Sequence, residues 1–239
     1  MNVPLKRRNQ IRKFHIRWNS HADLGVYYQV FIEKEYSLAG FAQGKWITRF
    51  YGSLIESKRR PVIFDAGANI GASAVWFGTE FPSSKLVAVE PAPGNCDLLH
   101  LNCRDLDCDL IRGGIGCEDG AMYLENPGFG DWGFRLVERG TERVAVFSAN
   151  KLVEVYVAKA LTPFIFKMDI EGGEQLLFEK DVEWVEKFPL IIIELHDYML
   201  PSSASSRNFL RCISQYDFDL VFRGENAFCF NNEVLRQFH

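Results

Sequence analysis

The chain has 239 residues, a formal net charge of −4 and 24% charged residues, a composition typical of globular proteins. This length suits one α/β domain, or one domain with a small appendage, and the acidic balance provides no general positive field for nucleic acid or anionic lipid. No stretch reaches the roughly 18 apolar residues of a transmembrane helix. No apolar run follows the basic start, so we do not expect it to be a signal peptide. We therefore expect a cytoplasmic protein whose six cysteines are reduced.

The first 60 residues differ in pattern from the rest, and we predict that residues 1–60 form a cap or lid on a main domain of residues 61–239. The chain begins with a basic arm, which is either a solvated terminus or a contact for an acidic partner, a membrane surface or nucleic acid. The segment from Tyr27 to Ile32 is rich in β-forming residues and predicts a strand. Apolar residues at helical spacing predict a helix from Gly44 to Ile55.

Short apolar runs alternate with helical stretches from residue 61 onward. Continuous apolar strands between helices predict a mostly parallel sheet that is covered on both faces. Residues 118–147 interrupt this alternation and predict an inserted hairpin or loop near the site, and two runs within 218–230 predict closing strands. The expected fold class is therefore α/β: a Rossmann-like, doubly wound, mostly parallel sheet with an antiparallel closing strand and a small N-terminal cap. Four of the predicted strands end in an acidic residue: Asp65, Glu90, Asp169 and Glu194.

The first of these strands runs into the glycine-rich turn Asp65-Ala-Gly-Ala-Asn-Ile-Gly71. Its glycines allow a tight turn and close backbone approach, and the following helix offers free N–H groups to polar ligand atoms. The spacing differs from the dinucleotide pattern Gly-x-Gly-x-x-Gly, which argues against a nicotinamide-dependent dehydrogenase. Asp65 instead suits a sulfonium ligand with an attached ammonium group. Glu90, at the end of the next strand, is placed to accept both hydroxyls of a ribose, so the two acids favour S-adenosylmethionine as the ligand.

Four motifs follow one another within about residues 61–200: Val62 to Gly71, Val89-Glu-Pro91, Phe166 to Glu174 and Ile191 to His196. In this order they resemble the FkbM family of methyltransferases. The resemblance implies a Rossmann-like methyltransferase domain that binds S-adenosylmethionine. By motif position it implies one set of cofactor-binding residues: Asp65, Gly67, Ala68, Asn69, Gly71, Glu90, Pro91, Gly114 and Ile115.

A second group of polar residues lies at the ends of the fourth and fifth predicted strands. If these strands are neighbours, the side chains that converge beside the methyl group of the cofactor are Asp169, Glu171, Glu194 and His196. Methyl transfer to a hydroxyl needs alignment of donor and acceptor and a base for the proton, so we assign these four as catalytic residues. Asp169, Glu194 and His196 also suit a hard cation such as Mg²⁺. Glu171 and Glu174 also suit a purely structural role at a helix N-terminus.

The sequence thus predicts an enzyme, an S-adenosylmethionine-dependent methyltransferase, and favours O-methylation of a hydroxyl on a sugar, glycan or natural-product small molecule. A nucleic-acid methyltransferase that docks through the basic arm is one alternative, and a non-catalytic nucleoside-binding regulatory module is another. Trp132, in a glycine-rich loop, either stacks on an acceptor sugar or on adenine, or anchors the loop. The aromatic content of residues 27–55 suits either a homodimer interface or a cover for the sheet.

Overall fold

The computed structural model describes residues 1–7, 10–126 and 133–239. Two predicted features fall outside these described residues. They are Trp132 with most of its glycine-rich loop, and residues 8–9 of the basic arm. All six cysteines lie inside them and are free thiols. Within the same residues, no helix is both long and apolar enough to cross a lipid bilayer.

Strands and helices alternate along the main part of the chain. The strands formed by the described residues are β1 (Asn2–Arg7), β2 (Gln10–His15), β3 (Arg60–Ala66), β4 (Lys85–Glu90), β5 (Cys108–Arg112), β6 (Gly114–Gly116), β7 (Gly120–Glu125), β8 (Arg135–Val137), β9 (Glu142–Ser148), β10 (Leu161–Met168), β11 (Leu190–Glu194), β12 (Phe218–Arg223) and β13 (Asn226–Asn231). The α-helices are α1 (His21–Tyr27), α2 (Ala42–Glu56), α3 (Ala72–Glu80), α4 (Pro93–Cys103), α5 (Ala149–Ala158), α6 (Glu174–Leu177), α7 (Arg207–Ile213) and α8 (Asn232–Leu235).

Seven strands form the main sheet, in the order β12-β13-β11-β10-β3-β4-β5. The strands from β11 to β5 in this order are parallel to their neighbours, whereas β13 is antiparallel to both β11 and β12. The chain builds outward from β3 through β4 to β5, and then crosses back to place β10 on the other side of β3. The predicted fold class, a doubly wound and mostly parallel α/β sheet with an antiparallel closing strand, is confirmed.

The central strand β3 explains why the sheet is covered on both faces. Successive side chains of a strand point to opposite faces, and the consecutive apolar residues Val62, Ile63 and Phe64 of β3 are all buried. Ile63 belongs to the core beneath α2 and α3, while Val62 and Phe64 belong to the core beneath α5. Phe64 packs edge-on against Tyr156 of α5, with ring centroids 5.5 Å apart. A buried apolar run with side chains on both faces is typical of a parallel strand between two layers of helices.

The N-terminal region packs into the same core as the main sheet. The predicted helix from Gly44 to Ile55 is confirmed as α2, and its Ile47, Phe50 and Leu54 are buried in the core that contains Ile63. These side chains lie on one face of α2 because they recur at helical spacing. Helix α2 of this region therefore covers one face of the sheet.

The strand predicted from Tyr27 to Ile32 is wrong. These residues end α1 and continue as a π-helix, Tyr28–Glu33. Helical turns bring Tyr27 over Phe31, with ring centroids 5.3 Å apart, and Phe31 packs edge-on against Phe14 at 5.2 Å. Because β propensity reflects packing on a sheet more than a backbone preference, burial of this aromatic cluster outweighs it.

The insertion predicted over residues 118–147 belongs to a second sheet, in the order β6-β9-β7-β8. β7 is antiparallel to both β8 and β9, so a hairpin is present as expected. β6 follows β5 closely in the chain and pairs in parallel with β9. This pairing places the second sheet at the edge of a cavity in the main domain.

Candidate active site

A cavity of about 900 Å³ lies at the carboxyl ends of the central strands, beside the point where the strand order reverses between β3 and β10. Open α/β sheets bind their ligands in this crevice. Its walls are formed by the turn after β3, the ends of β4, β10 and β11, the start of β6, and the helical segment His21–Glu33. The cavity therefore brings together elements from the whole length of the chain.

Glu90 ends β4 and faces this cavity. One of its carboxylate oxygens accepts the backbone N–H of Asn69 at 2.9 Å. The other accepts the backbone N–H of Ala92 at 2.9 Å and the side-chain amide of Asn95 at 3.2 Å. Burial raises the pKa of Glu90, and these hydrogen bonds oppose that rise. The carboxylate is thus held in one orientation, with lone pairs still available to a ligand.

The turn after β3 places its backbone at the cavity wall. Asn69 takes a left-handed backbone conformation (φ 48°), lines the cavity, and its buried Oδ1 has no hydrogen-bond partner among the described residues. Gly67 is also left-handed (φ 73°), and a Cβ added there would lie 1.7 Å from the carbonyl oxygen of Asp169. Only glycine allows the ends of β3 and β10 to approach so closely.

Six of the nine cofactor residues expected from the sequence line the cavity: Gly67, Asn69, Glu90, Pro91, Gly114 and Ile115. Asp65 does not line the cavity, and its expected role in binding the cofactor stays a prediction. Its carboxylate is 1% exposed, accepts the hydroxyl of Ser73 at 2.6 Å and lies 3.1 Å from the ammonium group of Lys167. A buried acid requires such partners, and here they hold the side chain of Asp65 in the protein interior. Ala68 and Gly71 lie behind the turn, where Gly71 packs against Leu99.

Opposite Glu90, the ends of β10 and β11 bring together the four expected catalytic residues, which we name the acid–histidine cluster: Asp169, Glu171, Glu194 and His196. Nε2 of His196 lies 3.5 Å from Oδ1 of Asp169 and 3.6 Å from one oxygen of each glutamate. The three carboxylates line the cavity, while the imidazole is 1% exposed and lies behind them. Nδ1 of His196 contacts the carboxylate of Glu174, which is itself fully buried.

Burial and mutual repulsion strongly perturb the ionisation of this cluster. Burial, with the charge of Asp169, raises the pKa of Glu171 to about 7 and that of Glu194 to about 8. Although burial acts in the opposite direction, contacts with Asp169 and Glu174 raise the pKa of His196 to about 11. Titratable groups with shifted pKa values that converge on a cavity mark a functional site. Additional positive charge in this cavity would stabilise the charged form of the carboxylates.

The sequence did not identify the part that the N-terminal helices play in this cavity. The segment from α1 to Glu33 forms one wall, and Asp23 of α1 is tied to the main domain. Arg17 donates from its guanidinium to Asp23 at 2.6 Å and to the side-chain oxygen of Asn95 at 3.0 Å. Because Asn95 also donates to Glu90, this hydrogen-bond network links α1 to the carboxylate of Glu90. The helix-capping pattern Ser20-x-x-Asp23 is the local signal that indicates α1.

The lining of the cavity is acidic. Among the described residues that line it there is no lysine or arginine, whereas the carboxylates are Glu33, Glu90, Asp169, Glu171, Glu194 and Glu225. An anion entering this cavity would be repelled unless a cation accompanied it.

The chain is similar to a methyltransferase. Over 146 residues it is 25% identical to the hexuronic acid methyltransferase AglP of Haloferax volcanii, a match that covers 60% of this chain and 59% of that relative. The similarity therefore spans less than two thirds of the relative's length. No family model matches the chain.

Two solved structures are similar at low identity. An O-methyltransferase from Bacillus cereus in complex with SAH has 12% identity and a TM-score of 0.45, over 87% of this chain and 90% of that chain. Fibrillarin from Aeropyrum pernix, in complex with natively bound S-adenosyl-L-methionine, has 14% identity and a TM-score of 0.42, over 72% of this chain and 66% of that chain.

Proposed function

We propose that the protein is an S-adenosylmethionine-dependent methyltransferase of the FkbM type that methylates a hydroxyl group on a sugar, glycan or other small molecule. The observation that carries this proposal is the pairing, across one cavity, of Glu90 at the end of β4 with the acid–histidine cluster at the ends of β10 and β11. One side suits a ribose, and the other suits a hydroxyl that must lose a proton. The similarity to a hexuronic acid methyltransferase supports the same class of acceptor.

The residues around Glu90 fit the proposed cofactor. Glu90 accepts the two ribose hydroxyls, and the unpartnered Oδ1 of Asn69 is available to a donor on the ligand. Ile115 and the backbone of Gly114 provide an apolar wall for a flat base on the same side of the cavity. When bound, S-adenosylmethionine supplies a methyl group on a positively charged sulfur, which is already activated for displacement.

The acid–histidine cluster has the complementary role toward the acceptor. Its carboxylates face the cavity, where they accept hydrogen bonds from the acceptor and receive the proton of the reacting hydroxyl. His196 lies behind them, where its positive charge when protonated offsets the charges of Asp169 and Glu194. Orientation of this kind contributes about 7–11 kcal/mol to bimolecular reactions in general.

The cavity lining favours a small polyhydroxylated acceptor over nucleic acid. Six carboxylates face the cavity, and a polyanion would have to approach them without a compensating lysine or arginine from the described lining. Residues 1–60 act as the cap in this proposal, because the segment His21–Glu33 forms one wall of the cavity. The cap and the second sheet then determine which acceptor fits.

Binding of S-adenosylhomocysteine, measured by calorimetry and by thermal shift, tests the cofactor assignment. Ligand binding to the native state raises stability by RT ln(1 + [L]/Kd), so the melting temperature should rise with ligand concentration. Glu90→Ala should abolish this response, whereas Glu183→Ala, at an exposed position, should preserve it. Transfer of labelled methyl from S-adenosylmethionine to a panel of sugars and uronic acids then tests turnover. Unchanged affinity in Glu90→Ala would refute the assignment.

A further inference from the structure

We propose that the acid–histidine cluster binds one divalent cation of the Mg²⁺ and Mn²⁺ class, with its three carboxylates and the imidazole as protein ligands. The ion would hold oxygen atoms of the acceptor, so this role rests on the proposed function. Ion binding itself does not depend on turnover and can be measured separately.

His196 provides the first reason. Its side chain is 1% exposed, and Nε2, which points into the cluster, has no hydrogen-bond partner in the described part of the chain. Nδ1 is engaged by Glu174, a carboxylate with no exposure. A histidine that binds a metal through one nitrogen almost always donates its other N–H to a carboxylate or carbonyl. With Nδ1–H held by Glu174, a cation in the cluster would replace the proton on Nε2 and bind this nitrogen.

The spacing of the oxygens provides the second reason. Three carboxylate oxygens lie 3.5–3.6 Å from Nε2 of His196, which is too long for good hydrogen bonds. In an octahedral site with Mg²⁺–ligand distances near 2.1 Å, adjacent ligand atoms are about 3 Å apart. The ligand atoms of Asp169, Glu171 and His196 all lie within 4.8 Å of one another. Small side-chain movements would close them around one ion.

The backbone conformation of Glu171 directs its side chain toward the other ligands of the proposed ion. It takes a left-handed conformation (φ 46°), followed by Gly172 at φ 85°, which turns the chain back toward β11. Its buried Oε2 makes no hydrogen bond to any described residue. A buried carboxylate oxygen without a partner is costly, and a bound cation would satisfy it.

The donor set and the charge decide which ion is expected. Three carboxylates and one imidazole are hard oxygen and nitrogen donors, which suit Mg²⁺ and Mn²⁺ better than metals that prefer thiolates. Lys167 is 3.8 Å from Asp169 and offsets only part of the local negative charge. Because the three carboxylates line the cavity, a bound ion is accessible to an acceptor. Two adjacent acceptor oxygens, such as the carboxylate and a hydroxyl of a uronic acid, would chelate it and overcome the repulsion of the acidic lining.

The test uses Mn²⁺ as the probe, added to the full chain after dialysis against a chelator and then against metal-free buffer. Calorimetry and the loss of the free Mn²⁺ EPR signal should both give one ion per chain. Asp169→Asn and Glu171→Gln should each weaken binding about tenfold or more, and Glu174→Ala, which removes the partner of His196, should weaken it about 10–100-fold. Glu33→Gln, which removes a cavity carboxylate outside the cluster, should leave the affinity unchanged.

Circular dichroism and urea unfolding show whether each variant is folded. Because Asp169→Asn and Glu171→Gln are both isosteric, one of them can still be tested if the other does not fold. Absence of stoichiometric Mn²⁺ binding, or equal affinity in Asp169→Asn and Glu33→Gln, would overturn the ion site. S-adenosylhomocysteine binding in the presence of chelator separates the two proposals. If the nucleoside binds and Mn²⁺ does not, the ion site fails and the methyltransferase proposal stands. If Mn²⁺ binds and neither nucleoside binding nor methyl transfer occurs, the proposed function fails and the ion site stands.

Discussion

Nζ of Lys167 lies 3.1 Å from Oδ1 of Asp65, and both side chains are at most 2% exposed. The same ammonium group donates to the carbonyl oxygen of Gly67 at 2.9 Å and lies 3.8 Å from Asp169. Although burial acts in the opposite direction, the neighbouring carboxylates of Asp65 and Asp169 raise the pKa of Lys167, so it stays charged. One buried cation thus connects the turn after β3 with the acid–histidine cluster.

Lys167→Met should destabilise the protein strongly. Removing one partner of a buried ion pair leaves the other charge uncompensated, which typically costs about 3–5 kcal/mol. Urea unfolding followed by circular dichroism measures the change in the free energy of unfolding. The double variant Lys167→Met/Asp65→Asn should recover part of the loss, because the stranded charge on Asp65 is removed. If the double variant is as unstable as the sum of the two single variants, the pair is not coupled.

Gly67→Ala should prevent normal folding or cost several times as much as a typical surface substitution. The added Cβ would lie 1.7 Å from the carbonyl oxygen of Asp169, and φ is +73°, a conformation that side chains other than glycine disfavour. Gly52→Ala in α2 is the matched control, since no described atom lies within 4 Å of its Cβ position. It should stabilise the protein by about 0.5–1 kcal/mol. Equal thermal stability of the two variants would contradict the close packing of β3 against β10.

Asp23→Asn should loosen the α1 wall of the cavity. The carboxylate of Asp23 is buried and accepts hydrogen bonds from the backbone N–H of Arg17 and from two nitrogens of its guanidinium. Hydrogen bonds to charged groups contribute about 1.5–3 kcal/mol, so both stability and affinity for S-adenosylhomocysteine should fall. Asp97→Asn, at an exposed position on α4, should change neither. A variant of Asp23 with normal affinity in calorimetry would show that α1 is held by other contacts.

The affinity for S-adenosylhomocysteine should fall at acidic pH because of Glu90. Burial raises the pKa of Glu90 in the free protein, whereas ribose hydroxyls that donate to the carboxylate favour its charged form. Binding therefore lowers the pKa of Glu90, and the affinity is highest above the pKa of the free protein. As pH falls through that raised pKa, Kd should increase toward a limiting slope of about tenfold per pH unit, since binding then releases one proton.

Glu90→Gln separates this effect from other titrations. The amide retains one hydrogen-bond acceptor but carries no charge, so its affinity should be lower than that of the unmodified protein at neutral pH. Its Kd should also vary little with pH across the range where the Glu90 protein changes. An identical pH profile for both proteins, measured by calorimetry, would assign the titration to another group.

Local patterns predicted the main sheet and α2, because apolar periodicity reflects which faces are buried. The same patterns misassigned Tyr27 to Ile32, where a nonlocal aromatic cluster with Phe14 decides in favour of helix. They also could not distinguish Asp65 from Glu90. Both acids end neighbouring strands, but Asp65 faces Lys167 within the protein, while Glu90 faces the cavity.

The sequence by itself determined the order of the strands in the main sheet's part of the chain and the placement of acids at four strand ends. Both follow from residues close together in the chain, whose spacing decides which element forms and where it stops. The tertiary structure decided which of those acids reach the cavity, that Glu174 holds His196, and that Arg17 joins α1 to Asn95. These outcomes depend on the burial of charged groups, and a buried charge must find its partner wherever the fold supplies one.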